Sequence, residues 1–177
     1  MDKRHLTEKH FQKRHYHNLG QIAGDLKSIW LLSRQARSLR EDDKIAPAFH
    51  ERLMLAVTGV NHCRYCAYVH ARTALNDGVT PEQIRALGDQ ELASCPAEEL
   101  PALLYAQHWA ESGGRVDPQA RQRILDVYGV GRTLAVERTL QMIQTANMAG
   151  NTWDYLLYRL GFMLSDSSRP DAEAVVK

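Results

Sequence analysis

Net charge is nearly absent: 22 Lys and Arg face 21 Asp and Glu, leaving +1 over 177 residues. That removes the electrostatic argument for nucleic acid or an anionic membrane as a partner. No apolar run reaches about 18 residues, the length that a transmembrane helix needs. Basic residues crowd the start, "MDKRHLTEKHFQKRHYHN", but no apolar stretch follows them. This is not a secretory signal, and the expected location is cytoplasmic. Three cysteines do not make a secreted disulfide framework. In a reducing compartment a C-x-x-C is more often catalytic or metal-binding. Strand alternation, repeats of fixed period and low-complexity segments are missing as well.

What remains is helical punctuation. Between about Tyr16 and Ser38, Leu19, Ile22, Ala23, Leu26, Ile29 and Trp30 recur at the spacing of a helix with one buried stripe. "REDDKIAP", Arg40 to Pro47, is a polar break. A helix is expected from about Ala48 to Gly59. Asn61 is placed as N-cap of the next, from about His62 to Asn76. Gly78 stops it, and Thr80 with Pro81 starts another. "SCPAEEL", at Ser94 to Pro96, opens a helix to about Ser112. Asp117 and Pro118 open one that ends near Gly129. A last helical stretch, about Arg132 to Leu160, is expected to break at Gly150 and Asn151. The reading is an all-α, single-domain chain over 1–177 with about seven or eight helices and a frayed tail from about residue 165.

The chemistry gathers in "VNHCRYCAYVHARTAL", Val60 to Leu75. On one helix at about 100° per residue, Cys66 lies about 60° and His70 about 20° from Cys63. All three share a stripe. Side chains lean toward the helix start, so His70 reaches back over Cys66. Unpaired N–H groups and the helix dipole in the first turn favour a thiolate. A free thiol is only a few per cent thiolate near neutral pH, and such surroundings raise that fraction roughly tenfold or more. The spacing also lets an oxidised sulfur be resolved by its neighbour. Upstream, Glu51 precedes Cys63 by twelve residues. The turn at Gly59 to His62 folds that helix back, so a Glu51 carboxylate can orient His70 and raise its basicity. Together the four residues supply a base to form the thiolate and an acid to protonate a leaving alkoxide.

The stretch "HERLMLAVTGVNHCRYCAYVHARTAL", His50 to Leu75, resembles the alkylhydroperoxidase D-like branch of the carboxymuconolactone decarboxylase superfamily. The shared pattern is a Glu, a C-x-x-C twelve residues on, and a His four residues after the second Cys. The clear match covers about residues 43–87. The resemblance implies an all-helical fold that assembles as a homo-oligomer, trimer or hexamer. It implies a thiol peroxidase acting on hydrogen peroxide or organic hydroperoxides, with an external dithiol reductant. It makes Cys66 the peroxidatic residue, Cys63 the resolving thiol and proton donor, and Glu51 and His70 the relay. It requires no bound cofactor and no metal. One position departs from the best-known enzyme of this type, which carries His where this chain has Tyr65. The decarboxylase branch generally lacks the cysteine pair.

Two other classes fit the same residues. One is a disulfide reductase or an adaptor for another peroxidase. The other is a non-enzymatic helical oligomer, a scaffold or a zinc site using Cys63, Cys66, His70 and His62. Three ligands on one short helix converge poorly on a tetrahedron, and no second C-x-x-C exists. Alone, His70 reads as a satisfied helix histidine and Glu51 as an acid near a helix start. His62 reads as surface, Tyr65 and Tyr68 as helix packing, and Cys95 as structural. His5, His10, His15 and His17 read as a solvated start. Trp30, Trp109 and Trp153 fit core or subunit contacts. The stretch from Thr139 to Tyr158 suits a core helix or an oligomer interface equally.

Overall fold

Proline and glycine mark most helix boundaries in the computed structural model, which describes residues 11, 13–35, 37 and 43–161. Among these residues six α-helices follow in order: α1 (Leu19–Gln35), α2 (Pro47–Asn61), α3 (Arg64–Asn76), α4 (Pro81–Gly88), α5 (Leu100–Glu111) and α6 (Pro118–Arg159). No strand occurs among the described residues, so the all-α expectation holds. The expected tail, together with His5 and His10, lies outside the described residues, as do residues 40–42 of the polar break after α1. Among the described residues no helix is long and apolar enough to cross a membrane.

The starts of α4 and α6 follow their caps. Thr80 accepts from the Gln83 amide while the Gln83 side chain reaches back, completing a capping box. Asp117 accepts from the Ala120 amide with Pro118 behind it. Gly78, at φ +85°, ends the turn after α3. The helix expected from Pro96 is delayed. A 3₁₀ turn, Ala97–Glu99, comes first, and Leu100 with Pro101 then begins α5. Arg52 pins that turn to α2, donating to both Glu99 oxygens at 2.5 and 2.6 Å. A buried bidentate pair of this kind fixes geometry more than it adds stability.

Eleven of the fifteen residues of α2 are buried, so it is the central helix, wrapped on every side. It packs against α3, α4, α5 and α6. Leu53, Val57, Leu103, Leu140 and Ile143 form the middle of the core, with Trp109 near its edge. Cys95 also lies in this core, as expected for a structural thiol.

Three expectations are corrected. The stripe of α1 is not buried: no residue of α1 is, and Leu19, Leu26 and Trp30 stand 82, 56 and 58% exposed. Among the described helices its main packing partner is α6. Asn61 does not cap α3. It remains the last residue of α2 and its amide donates to Gln144 at 2.7 Å. Finally, α6 breaks at Gly129, at φ +71° and ψ 174°, as expected, but runs unbroken through Gly150 and Asn151. Tertiary contacts, described below, explain both residues. From Thr139 to Tyr158 the helix has two characters. Leu140, Ile143, Asn147, Asn151 and Asp154 are buried, while Met142, Trp153 and Leu156 are exposed.

Space, rather than conformation, sets the residue at 59. A Cβ there would sit 2.4 Å from the Leu87 carbonyl oxygen of α4. Gly59→Ala must therefore push α4 away from α2. The expected cost is about 1–3 kcal/mol, or a melting temperature lowered by about 3–10 °C, read by calorimetry or circular dichroism. An unchanged melting temperature would show that this helix pair is not tightly packed.

Candidate active site

The thiols stand at the corner between α2 and α3. Only His62 and Cys63 separate the two helices, so the chain must reverse sharply. His62 does this in the left-handed region, at φ 54°, and its N–H closes on the Thr58 carbonyl. Its own side chain is exposed, as expected. Cys63 is then the N-cap of α3 and Cys66 its third residue. The Cys63 sulfur accepts from the Cys66 amide at 3.4 Å, satisfying one of the free N–H groups of the first turn.

The two thiols are unbonded, and their sulfurs lie in hydrogen-bond contact at 2.8 Å. Cys63 has no exposed surface, whereas Cys66 is partly open. The pair shares charge unequally. The hydrogen bond from Cys66 draws the Cys63 thiol below its ordinary range; burial and the nearby Asp154 carboxylate oppose this, and the amides of Cys66 and Tyr65 assist it. Cys66 is driven up, first because its proton is held against Cys63 and then by burial. Of the two sulfurs, the sealed one carries negative charge more readily.

The second pair is Glu51 and His70. His70 Nδ1 donates to Glu51 Oε2 at 2.8 Å, so the tight corner does fold the carboxylate of α2 onto α3. The other oxygen, Oε1, accepts from His50 Nδ1 at 3.2 Å. Burial raises the Glu51 pKa, but the bonds from His50 and His70, with their charges, outweigh it and hold the carboxyl at about 2. Glu51 is thus a buried carboxylate bridging two imidazoles. Among the described residues no hydrogen bond joins His70 to either sulfur. The histidine stands one helical turn, roughly 5.4 Å of axial rise, beyond Cys66.

The wall opposite the thiols comes from α6. A Cβ at position 150 would lie 2.8 Å from Cys63 Sγ and 3.4 Å from the Tyr65 ring, so glycine lets the α6 backbone close over the sulfur. Asn151, which is buried, donates to the Asn61 carbonyl at 2.8 Å and to the Arg14 carbonyl at 3.0 Å. One turn on, Asp154 has no exposed surface. It accepts from Tyr65 Oη at 2.9 Å, Arg64 Nη2 at 2.8 Å and Lys13 Nζ at 3.2 Å. Tyr65 is therefore 40% exposed and tied to α6 by its hydroxyl, with the Arg64 guanidinium over its ring. Tyr68 is exposed too, so neither tyrosine is packed away between helices.

Among the described residues no group of three or more His, Cys, Asp and Glu is arranged to hold a metal ion. Sequence spacing missed His50, Gly150 and Asp154. His50 lies next to Glu51 in sequence but reaches it from outside the thiol stripe. Gly150 and Asp154 come from a helix that begins far downstream, and no local pattern points from them to the cysteines.

Residues 30–112 match the model of the carboxymuconolactone decarboxylase family. No curated protein and no solved structure gives a significant match.

The Glu51 carboxyl lies below its unfolded value, so its stabilisation is present above about pH 4.5 and is lost as pH falls through about 2. Relative to Glu51→Gln, the wild type should lose on the order of 2–3 kcal/mol of stability over that window. Denaturant melts of both proteins between neutral pH and pH 2 check this. Parallel curves would mean that the two histidine bonds do not hold the carboxylate.

Proposed function

For a chain whose residues 30–112 belong to the carboxymuconolactone decarboxylase family, we propose a thiol-dependent peroxidase that reduces hydrogen peroxide or organic hydroperoxides. The supporting observation is the pair of unbonded thiols 2.8 Å apart at the start of α3, one sealed and one open. A peroxide meets only the open sulfur. Cys66 is therefore the attacking residue, although the resting charge favours Cys63. A single proton shift along the S–H···S contact, from Cys66 to Cys63, makes the open sulfur the thiolate.

The balance is as follows. The Cys66 thiolate attacks the terminal peroxide oxygen and the O–O bond breaks. Cys66 becomes a sulfenic acid, and the alkoxide leaves with a proton from the Cys63 thiol. The Cys63 thiolate so formed attacks the sulfenic sulfur. A disulfide forms, and hydroxide takes a proton from the relay to leave as water. An external dithiol then reduces the disulfide and becomes a disulfide itself. In total one hydroperoxide and one dithiol give one alcohol, one water and one oxidised dithiol.

Glu51 and His70 form the relay. The carboxylate holds the His70 proton on Nδ1, leaving Nε2 to exchange protons with the site. Proton exchange across the turn between His70 and Cys66 needs one bridging water. The sulfurs need only close from 2.8 Å to the roughly 2.05 Å of a disulfide. The exposed face of α1, with Leu19, Leu26 and Trp30, supports assembly as a homo-oligomer. A second reading, exchange with a protein disulfide, draws on the exposed Tyr68 and Val69 in the turn beyond Cys66.

One equivalent of an organic hydroperoxide should remove two thiols from the wild type without a gain of oxygen mass. Cys63→Ser should gain one oxygen at Cys66, and Cys66→Ser should lose peroxide consumption by at least about a hundredfold. Intact mass and thiol counts measure all three. Retention of every thiol in the wild type would overturn the peroxidase reading. Fast exchange with a protein disulfide would then select the second.

A further inference from the structure

Next to His50, the second partner of Glu51, lies a cavity of about 330 Å³ between residues 44–50 and α6. Its volume is in the range of small-molecule sites. Its polar lining is basic or neutral: Lys44, His50, Arg138 and Thr139. Ile45, Ala135 and Met142 make an apolar wall. His50 spends Nδ1 on Glu51, which leaves Nε2 as the ring atom for a ligand. Thr139 is buried, and its hydroxyl has no hydrogen bond among the described residues. Among the described residues the nearby acids do not line the cavity. Glu51 lies behind His50, Glu137 is held by Tyr105 and Arg121, and the Asp43 carboxyl lies against Gly131.

Positive charge and an unused hydroxyl beside an apolar wall select a ligand that carries both characters. We propose that this cavity binds a small monocarboxylate with an apolar body. Its carboxylate meets His50, Thr139 and Arg138, and its body lies on Ile45, Ala135 and Met142. Inorganic phosphate has no use for the wall, and a neutral alcohol has none for the cations. A carboxylate on His50 also competes with Glu51 for that ring. Occupancy is then felt at the thiols through the chain His50–Glu51–His70, a consequence that rests on the proposed relay.

The test uses the full reduced chain and sodium benzoate as probe, with benzyl alcohol and sodium phosphate as controls, followed by calorimetry and by the His50 ring resonances. Saturable benzoate binding that shifts those resonances is expected. Benzyl alcohol and phosphate should bind at least about tenfold more weakly, as should benzoate to Arg138→Gln and to Thr139→Val. Circular dichroism of both variants separates lost binding from lost folding. No saturable binding overturns the site, and so does benzoate binding equally well to both folded variants. Saturating benzoate should also change the rate at which iodoacetamide alkylates Cys66. Binding with an unchanged rate overturns the coupling. Neither arm consumes peroxide, so failure here is distinct from failure of the peroxidase reading.

Discussion

A seam of buried amides between α2 and α6 holds the thiol corner in place. Asn61 donates to Gln144, Thr58 donates to Asn147, and Asn151 donates to the Asn61 carbonyl, at 2.7, 3.3 and 2.8 Å. The α6 members recur at positions 144, 147, 151 and 154, the spacing of one helix face. Amides in a core are costly unless paired, and their directionality then admits one register. A sliding apolar contact could not do this. Because Asn61 is the last residue of α2, fixing it also fixes His62 and Cys63. Gly150, inside the same seam, brings the α6 backbone over the sulfur. The polar seam and the glycine work as one device: the first sets where α6 lies along the corner, the second how near it comes.

Electrostatics divide the site into two halves. In one, two sulfurs lie in hydrogen-bond contact and the sealed sulfur takes negative charge the more readily. In the other, a buried carboxylate is shared by two histidines. Asp154 completes the surroundings. Its charge works against a thiolate at Cys63, yet it gathers Lys13, Arg64 and Tyr65 around the rim. Isolated, so deeply buried a carboxylate would be very unfavourable. With three donors it becomes a fastening between the segment before α1, the start of α3 and the end of α6. The hydroxyl of Tyr65 is spent on that fastening.

Much of this was legible in the sequence, and the reason is local. Caps at Thr80 and Asp117, the stop at Gly78 and the break at Gly129 depend on backbone preferences of a few neighbouring residues. The approach of Glu51 to His70 was legible as well, since a two-residue corner leaves two helices little choice. The stripe of α1 was read correctly as a pattern and wrongly as buried, because periodicity shows which face is apolar and not what covers it. At Gly150 and Asn151 the error ran the other way. Both residues weaken an isolated helix, but one gives room to a sulfur and the other pairs with two carbonyls, and those contacts outweigh propensity.

By itself the sequence determined the helices, the corner, and the pairing of Cys63 with Cys66 and of Glu51 with His70. All of these follow from spacing along one or two turns of chain. Only the tertiary structure decided which sulfur is sealed and which is open, that His50 is a second partner of Glu51, and that Asp154 holds the rim. Those depend on α6, whose contacts with the corner span some ninety residues of sequence. No short-range preference encodes such a distance; it is set by the packing of a whole helix face.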